Sequence, residues 1–336
     1  MNSQSNKTGL VMQSISASDI VDFILKNCDN AKISGLYDGK AGLSIALFVA
    51  ANYLQDEKTE DIAFNLIQES LVIKNNDLSF ENGLPGIGYA LLYLIENKYF
   101  DANFDDVFGT QYKEIIRHFE NIDRNPSVLV NQLTVIYFLS KVDGMKDDRR
   151  IKVVIKKIFE GLELFLTVHF LDFYDIRYLG IKVDVINIFK TYLKLVDYSG
   201  YAHFSRLVLE DYASLYRKGK IASSLETGYY LNLIANKYNV KGFEDVIQDN
   251  ISYGAKNTYP CTLSLREKID MAKLVPNALS REIREVDMQF EFRGMRKEEA
   301  IRNSIKTVDE RYNPFGYGNG LSRILIYSIN KNTELL

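Results

Sequence analysis

The chain has 336 residues, of which 46% are hydrophobic and 25% are charged, and its formal net charge at pH 7 is -3. These are the values of a globular protein, so they exclude collagen, a bare coiled coil and an intrinsically disordered chain. With 41 basic against 44 acidic residues and no concentrated basic segment, nucleic acid is not an expected partner.

The N-terminal segment predicts a loose tail followed by a helix. Residues 1–15 lack the apolar core of a secretory signal, and Ser16 is a candidate N-cap with Asp19 in the first helical turn. No Pro/Gly/Ser-rich linker follows, so residues 16–336 are expected to form one domain. No apolar stretch reaches the roughly 18 residues of a transmembrane span, so a soluble cytoplasmic protein without a transmembrane segment is expected.

Apolar residues recur at helical spacing along the chain, for example over 43–54, 91–95 and 153–162. The chain contains only five prolines, so helix breakers are few. The sequence therefore predicts an all-α protein.

Three segments place glycines just before a predicted helix. They read GLYDGKAGLSIALF from Gly35, SFENGLPGIGYALLYL from Ser79 and GYGNGLSRILIYSI from Gly316. We predict structural glycine turns at the start of these helices, with Gly320 in the position of Gly86. A turn of this kind needs either a positive φ or a close backbone approach, and glycine permits both. The glycines of these turns are Gly39, Gly42, Gly83, Gly86, Gly318 and Gly320.

The glycine motif repeats at a regular interval. Gly42 and Gly86 are 44 residues apart, and weaker copies put Asn131, Gly180 and Glu226 at the Gly86 position. Gly320 lies 278 residues after Gly42, which is six intervals of about 46 residues and therefore seven units, each of the size of a helix pair. Because the first and last copies are the most typical, the spacing favours a closed double-layered (α/α) toroid of about seven helix-pair repeats over an open solenoid with polar caps.

One region departs from helical spacing. Apolar and polar residues alternate over 259–266 and again over 286–293, which is the period of β-strands. We therefore predict a small β-ribbon near 259–293. The charged segment 281–299 is interpreted as a solvated face or, alternatively, as a docking surface for a partner enzyme.

Polar side chains accompany the glycine turns. In a closed ring they would converge at one pole and could form a rim that binds peptide. Alternatively, Asp38 and Asn82 only stabilise their turns through local hydrogen bonds. The candidate pole residues are Tyr37, Asp38, Glu81, Asn82, Glu226, Tyr317 and Asn319.

The motifs GLYDGKAGLSIALF and SFENGLPGIGYALLYL resemble the lanthionine synthetase C-like (LanC-like) family, most strongly over residues 33–100, and GYGNGLSRILIYSI looks like its terminal repeat. The resemblance implies a toroid of seven inner and seven outer helices. It also implies a role in maturing a ribosomally made peptide, in which family members add cysteine thiols to dehydroamino acids and so form thioether rings.

The resemblance further implies a zinc ion held by two Cys and one His, which would present a thiolate nucleophile. This sequence departs from that pattern, because it has no Cys-His dipeptide and Ser224–Gly228 stands where a Trp-Cys-x-Gly motif would fall. Cys261 alone cannot rebuild the site, and Cys28 is interpreted as structural. His118, His169 and His203 are dispersed without ligand spacing. No metal or other cofactor is therefore expected.

These observations favour a zinc-free, non-catalytic member that binds a precursor peptide or a partner maturation enzyme. Two alternatives remain open. One is a zinc-dependent thioether cyclase with an unusual ligand set. The other is an α/α-barrel glycoside hydrolase in which carboxylates such as Asp38, Glu81 and Glu226 pair across a pocket.

Overall fold

The computed structural model describes most of the chain. It covers residues 15–28, 31, 33–73, 75–99, 101–122, 126–130, 132–172, 183–257, 265–274, 301 and 314–330. The elements in these ranges are helices, and no strand occurs among the described residues. The all-α prediction is thus confirmed for this part of the chain.

The described ranges contain fourteen helices. In chain order they are α1 (Ala17–Leu25), α2 (Lys40–Leu54), α3 (Glu57–Val72), α4 (Leu84–Glu96), α5 (Phe104–Glu120), α6 (Pro126–Val130), α7 (Val135–Lys146), α8 (Arg149–Asp172), α9 (Val183–Ser199), α10 (Arg206–Arg217), α11 (Leu225–Tyr238), α12 (Glu244–Asn257), α13 (Leu265–Leu274) and α14 (Leu321–Ile329).

The helices differ in how they are buried. Helix α2 is buried at every position from Ala41 to Ala51, and α4 from Leu84 to Leu94, as expected of helices that are apolar all round. Helices such as α5 and α10 instead bury one stripe and expose the other face. The core therefore follows α2, α4 and their inner neighbours.

The inner helices pack against one another in a continuous order. Helix α14 packs on α2, α2 on α4, α4 on α7, α7 on α9, α9 on α11 and α11 on α13. We call these seven helices the inner row. Outside it, α1 packs on α2 and α14, α3 on α2, α5 on α4, α8 on α7 and α9, and α12 on α11.

The first helix begins as predicted. The Ser16 hydroxyl accepts the Asp19 N–H, and the Asp19 carboxylate accepts the Ser16 N–H at 2.8 Å, which completes a capping box. Residues 1–14 lie outside the described residues, so the tail and the single-domain assignment stay predictions.

The glycine turns differ in detail from the prediction. Gly39, Gly83 and Gly320 are the N-caps of α2, α4 and α14, all in extended conformation, so positive φ is not their reason. Close approach is the reason: a Cβ on any of them would collide with the backbone of the preceding turn. The second glycine of each pair, Gly42 and Gly86, lies inside the first helical turn rather than before it.

The predicted register of the last repeat was wrong by three residues. Because Gly320 is the N-cap, it corresponds to Gly83, and Arg323 takes the position of Gly86. By the same count from its N-cap Ser224, α11 places Thr227 there rather than Glu226. The motif misled because glycines stand at several offsets in GYGNGLSR, and composition alone does not say which one caps the helix. Asn131 and Gly180 lie outside the described residues.

The predicted β-ribbon is partly wrong. Leu265 and Arg266, the end of its first strand, begin α13, whose residues continue helically to Leu274. Local alternation over a few residues did not outweigh the helical packing of α13 on α11. The remainder of the ribbon, and the segment 281–299, lie outside the described residues. Within the described part of the chain, no helix combines the length and the apolar character needed to cross a bilayer.

The glycines inside the first turns generate a stability prediction. A Cβ at Gly86 would overlap the Phe80 carbonyl oxygen and stand 2.9 Å from the Leu36 Cβ. Because neither neighbour is the end of a flexible side chain, we expect Gly86→Ala to lower the free energy of unfolding by about 1–3 kcal/mol, measured by urea denaturation.

Gly144→Ala is the matched control. Gly144 lies in α7 and is exposed, and no atom lies within 4 Å of the place where its Cβ would stand. Alanine there should raise the free energy of unfolding by about 0.5–1 kcal/mol through helix propensity. Equal effects of the two substitutions would contradict the close-approach explanation.

Candidate functional site

Three of the turns that start inner-row helices are joined by main-chain hydrogen bonds. The Tyr37 N–H donates to the Glu81 carbonyl at 2.7 Å, and the Gly318 N–H donates to the Tyr37 carbonyl at 3.0 Å. The turns before α2, α4 and α14 therefore form one continuous end of the molecule, which we call the turn end.

Asp38 and Asn82 hold two of these turns together. The Asp38 N–H donates to the Asn82 Oδ1 at 3.1 Å, and the Asn82 amide donates to the Asp38 carboxylate at 3.3 Å. Both are thus used to stabilise turns, although across two turns rather than within one. This is close to the alternative prediction that Asp38 and Asn82 only stabilise their turns.

Tyr37 and Tyr317 are buried at the turn end rather than displayed on a rim. The ring of Tyr37 lies 5.1 Å from the Arg266 guanidinium, and the ring of Tyr317 lies 5.4 Å from the Arg323 guanidinium. Burial raises the pKa of Tyr37, and the positive charges of Arg266 and Arg323 act against that rise. Neutral tyrosine faces therefore pack on two arginine side chains.

Glu81 and Asn319 connect the turns to other inner helices. The Thr134 hydroxyl, just before α7, donates to Glu81 Oε1 at 2.9 Å. Asn319 Oδ1 accepts the Arg266 N–H at 3.2 Å, which joins the turn before α14 to the first turn of α13.

A cavity of about 250 Å³ opens between α7, α9, α11 and α13. It contains Glu226, the one predicted pole residue among those that line it, and otherwise residues that the sequence did not single out. The side chains that carry its chemistry are Tyr137, Lys190, Lys194, Glu226, Arg266 and Asp270.

Ion pairs dominate the cavity wall. Lys190 Nζ lies 3.1 Å from Glu226 Oε2, and Lys194 Nζ lies 2.9 Å from Asp270 Oδ2. Arg323, which is not among the lining residues, places its Nη1 3.8 Å from Asp270 Oδ1. Asp270 therefore sits between a lysine of α9 and an arginine of α14.

The charges of this cluster shift the pKa values of its members. Burial would raise the pKa of Asp270, but Lys194, Arg323 and Arg266 together lower it below its ordinary value. Burial lowers the pKa of Lys194, and Asp270 partly offsets that effect. Each partner thus offsets part of the cost of burying the other.

Arg323 occupies the register of Gly42 and Gly86 with a long charged side chain. It is fully buried, and its Nε donates to the Tyr317 carbonyl at 3.1 Å. The sequence carried a signal for it, since GLSR replaces the second glycine of GKAG and GLPG. The sequence also carried a signal for Lys190 and Lys194, because residues four apart in α9 lie on the same face of the helix.

The described residues do not fit the zinc site that the resemblance implies. The thiol of Cys28, buried just after α1, lies 3.4 Å from the Leu25 carbonyl, and Cys261 lies outside the described residues. His118 and His169 are on the outer helices α5 and α8, and His203 follows α9. No cluster of three His, Cys, Asp or Glu side chains suited to a metal occurs in the described ranges.

The comparisons with known proteins do not assign the chain to a group. No protein-family model matches it, and no curated protein matches it.

Asp270 generates a prediction for stability. Asp270→Asn removes the carboxylate that faces both Lys194 and Arg323 and leaves two buried cations without it. We expect the free energy of unfolding to fall by about 3 kcal/mol. The exposed pair of Asp147 and Lys152 supplies the control, because Asp147→Asn should leave urea denaturation nearly unchanged.

The same substitution has a defined pH dependence. The folded-state pKa of Asp270 is below its unfolded value of 3.8. At pH values between these two pKa values, the native state therefore binds fewer protons than the unfolded state. Its contribution is complete above the unfolded pKa and is lost as pH falls through the folded one. The stability gap between wild type and Asp270→Asn should therefore be constant from pH 5 to 7 and narrow in acid. A gap that widens below pH 4 would contradict this assignment.

Proposed function

We propose that the inner row closes on itself, giving a double-layered (α/α) toroid of about seven helix-pair repeats of the LanC-like kind. The support is the packing order of the inner row, together with two contacts between α13 and α14. These are the approach of Asp270 to Arg323 and the hydrogen bond from Arg266 to Asn319.

The function we propose within that fold is binding without catalysis. The chain would hold a precursor peptide, or a partner maturation enzyme, during maturation of a ribosomally made peptide. The observation that carries this proposal is the cavity beside the turn end, whose described lining combines lysine, arginine and carboxylate side chains but includes no Cys or His. Such a wall suits polar recognition of a chain and lacks the ligands for thiolate delivery.

The two alternatives have less support from these residues. A zinc-dependent cyclase requires thiolate and imidazole ligands, which the described cavity wall does not contain. A glycoside hydrolase requires a carboxylic acid with a raised pKa as proton donor. In this cavity the pKa of Asp270 is lowered and Glu226 is paired with Lys190, so neither side chain has the environment of that acid.

Direct binding tests the proposal. Small peptides encoded next to this gene would be labelled and titrated with the purified full chain, with fluorescence polarisation as the readout. We expect saturable binding that Lys190→Gln weakens about tenfold, because the cavity then loses a cation and Glu226 loses its partner.

Glu210→Gln is the control, since Glu210 pairs with Arg206 on the exposed face of α10. Binding should be unaffected by it. Equal weakening by both substitutions would place the peptide elsewhere on the molecule.

A second measurement separates binding from catalysis. The chain would be incubated with zinc and a dehydrated, cysteine-containing precursor, and free thiols would be counted by alkylation and mass spectrometry. We expect thiols to remain. Thiol loss that depends on this chain, together with stoichiometric bound zinc that requires Cys261, would overturn the non-catalytic proposal in favour of a cyclase.

A further inference from the structure

We propose that the cavity binds a carboxylate of its ligand, and that Arg266 and Tyr137 are the groups that recognise it. The identity of the ligand as a peptide rests on the proposed function. The existence of a carboxylate site rests on the geometry described below.

Arg266 differs from the other cations of the cavity. Lys190 and Lys194 each have a carboxylate within 3.1 Å. In the described part of the chain, no ion pair joins the guanidinium of Arg266 to a carboxylate, and its side chain instead covers the Tyr37 ring. A guanidinium has five N–H donors in a planar fork, so stacking leaves donors directed to other acceptors.

Tyr137 provides a second, independent observation. Its side chain is 1% exposed, packs between Phe80 and Tyr198, and lines the cavity. Its hydroxyl has no hydrogen-bond partner among the described residues. A buried hydroxyl without a partner costs free energy, so an acceptor supplied by a ligand would recover a hydrogen bond that the described residues do not make.

The chemistry favours a carboxylate over a more highly charged anion. Glu226, Glu267 and Asp270 also line the cavity, and their negative charges would repel a phosphate dianion more strongly than a monoanion. The planar fork of Arg266 matches a carboxylate in bidentate geometry, and a neighbouring hydroxyl can donate to the same oxygens. A volume of about 250 Å³ accommodates a carboxylate with a short stem.

A peptide offers this group in two ways, as its C-terminus or as an Asp or Glu side chain. Short probes distinguish them. One pair is acetyl-tetraalanine with a free carboxylate and the same peptide as an amide. The other pair is acetyl-Ala-Glu-Ala-amide and acetyl-Ala-Gln-Ala-amide. Binding to the full chain would be measured by isothermal titration calorimetry.

We expect at least one carboxylate probe to bind, and its neutral partner to bind about tenfold more weakly or not at all. Arg266→Met and Tyr137→Phe should each weaken the binding of that probe by about the same factor. Tyr137→Phe should not lower the thermal unfolding temperature, because the hydroxyl makes no hydrogen bond within the described residues and its burial costs free energy. This variant keeps the test informative if Arg266→Met does not fold.

Arg150→Met is the matched control, since Arg150 pairs with Asp148 at the start of α8, outside this cavity. It should bind the probes like wild type. The proposal is overturned if charged and neutral probes bind equally, if neither carboxylate binds, if Tyr137→Phe binds like wild type, or if inorganic phosphate binds more tightly than both carboxylates. The probes contain no precursor sequence, so their failure would speak against the carboxylate site alone and not against binding of a precursor.

Discussion

The close approach between neighbouring helix starts is the constraint on which the rest of this structure depends. Because Gly42 has no side chain, the Cβ of Tyr317 can lie only 2.5 Å from the point where a Cβ on residue 42 would stand. Gly86 likewise makes room for the Cβ of Leu36, at 2.9 Å from the corresponding point. Helices α2 and α4 thus each receive a side chain from the turn of the preceding inner helix. Because the same relation recurs from α14 to α2 and from α2 to α4, it fixes the spacing of these three helices and the joining of their turns.

The third occurrence of that position explains where the charges come from. Arg323 replaces the small residue, so α14 directs a guanidinium into the molecule where α2 and α4 have only hydrogen. A buried guanidinium requires a carboxylate and hydrogen-bond acceptors, which Asp270 and the Tyr317 carbonyl supply. Asp270 in turn faces Lys194 across the cavity. One departure from the repeat therefore accounts for the position of Asp270, and through it of Lys194, in the cavity wall.

The sequence allowed the helices and the turn end to be predicted but not the cavity. Apolar spacing identified α2, α4 and α8, and the glycine pairs identified the turns, because both are local features of the chain. The pairing of Lys194 with Asp270 joins residues 76 positions apart and depends on how α9 and α13 pack. No local pattern encodes it. The register of α14 was missed for a related reason, since which glycine caps a helix depends on contacts with the preceding turn.

The cost of the charge cluster is itself an argument about its role. Buried ion pairs contribute little net stability, because the desolvation of both partners offsets their attraction, and well-packed apolar residues of similar volume often serve a fold better. Here a mostly buried pair, Lys194 with Asp270, and a partly buried pair, Lys190 with Glu226, line one cavity, while α2 and α4 are buried almost entirely by apolar contacts. Stability alone would not favour placing four cations at this end of the inner row, together with a tyrosine hydroxyl that has no hydrogen-bond partner among the described residues. Recognition of a polar ligand would, because the ligand then completes the hydrogen bonding that the described residues leave incomplete.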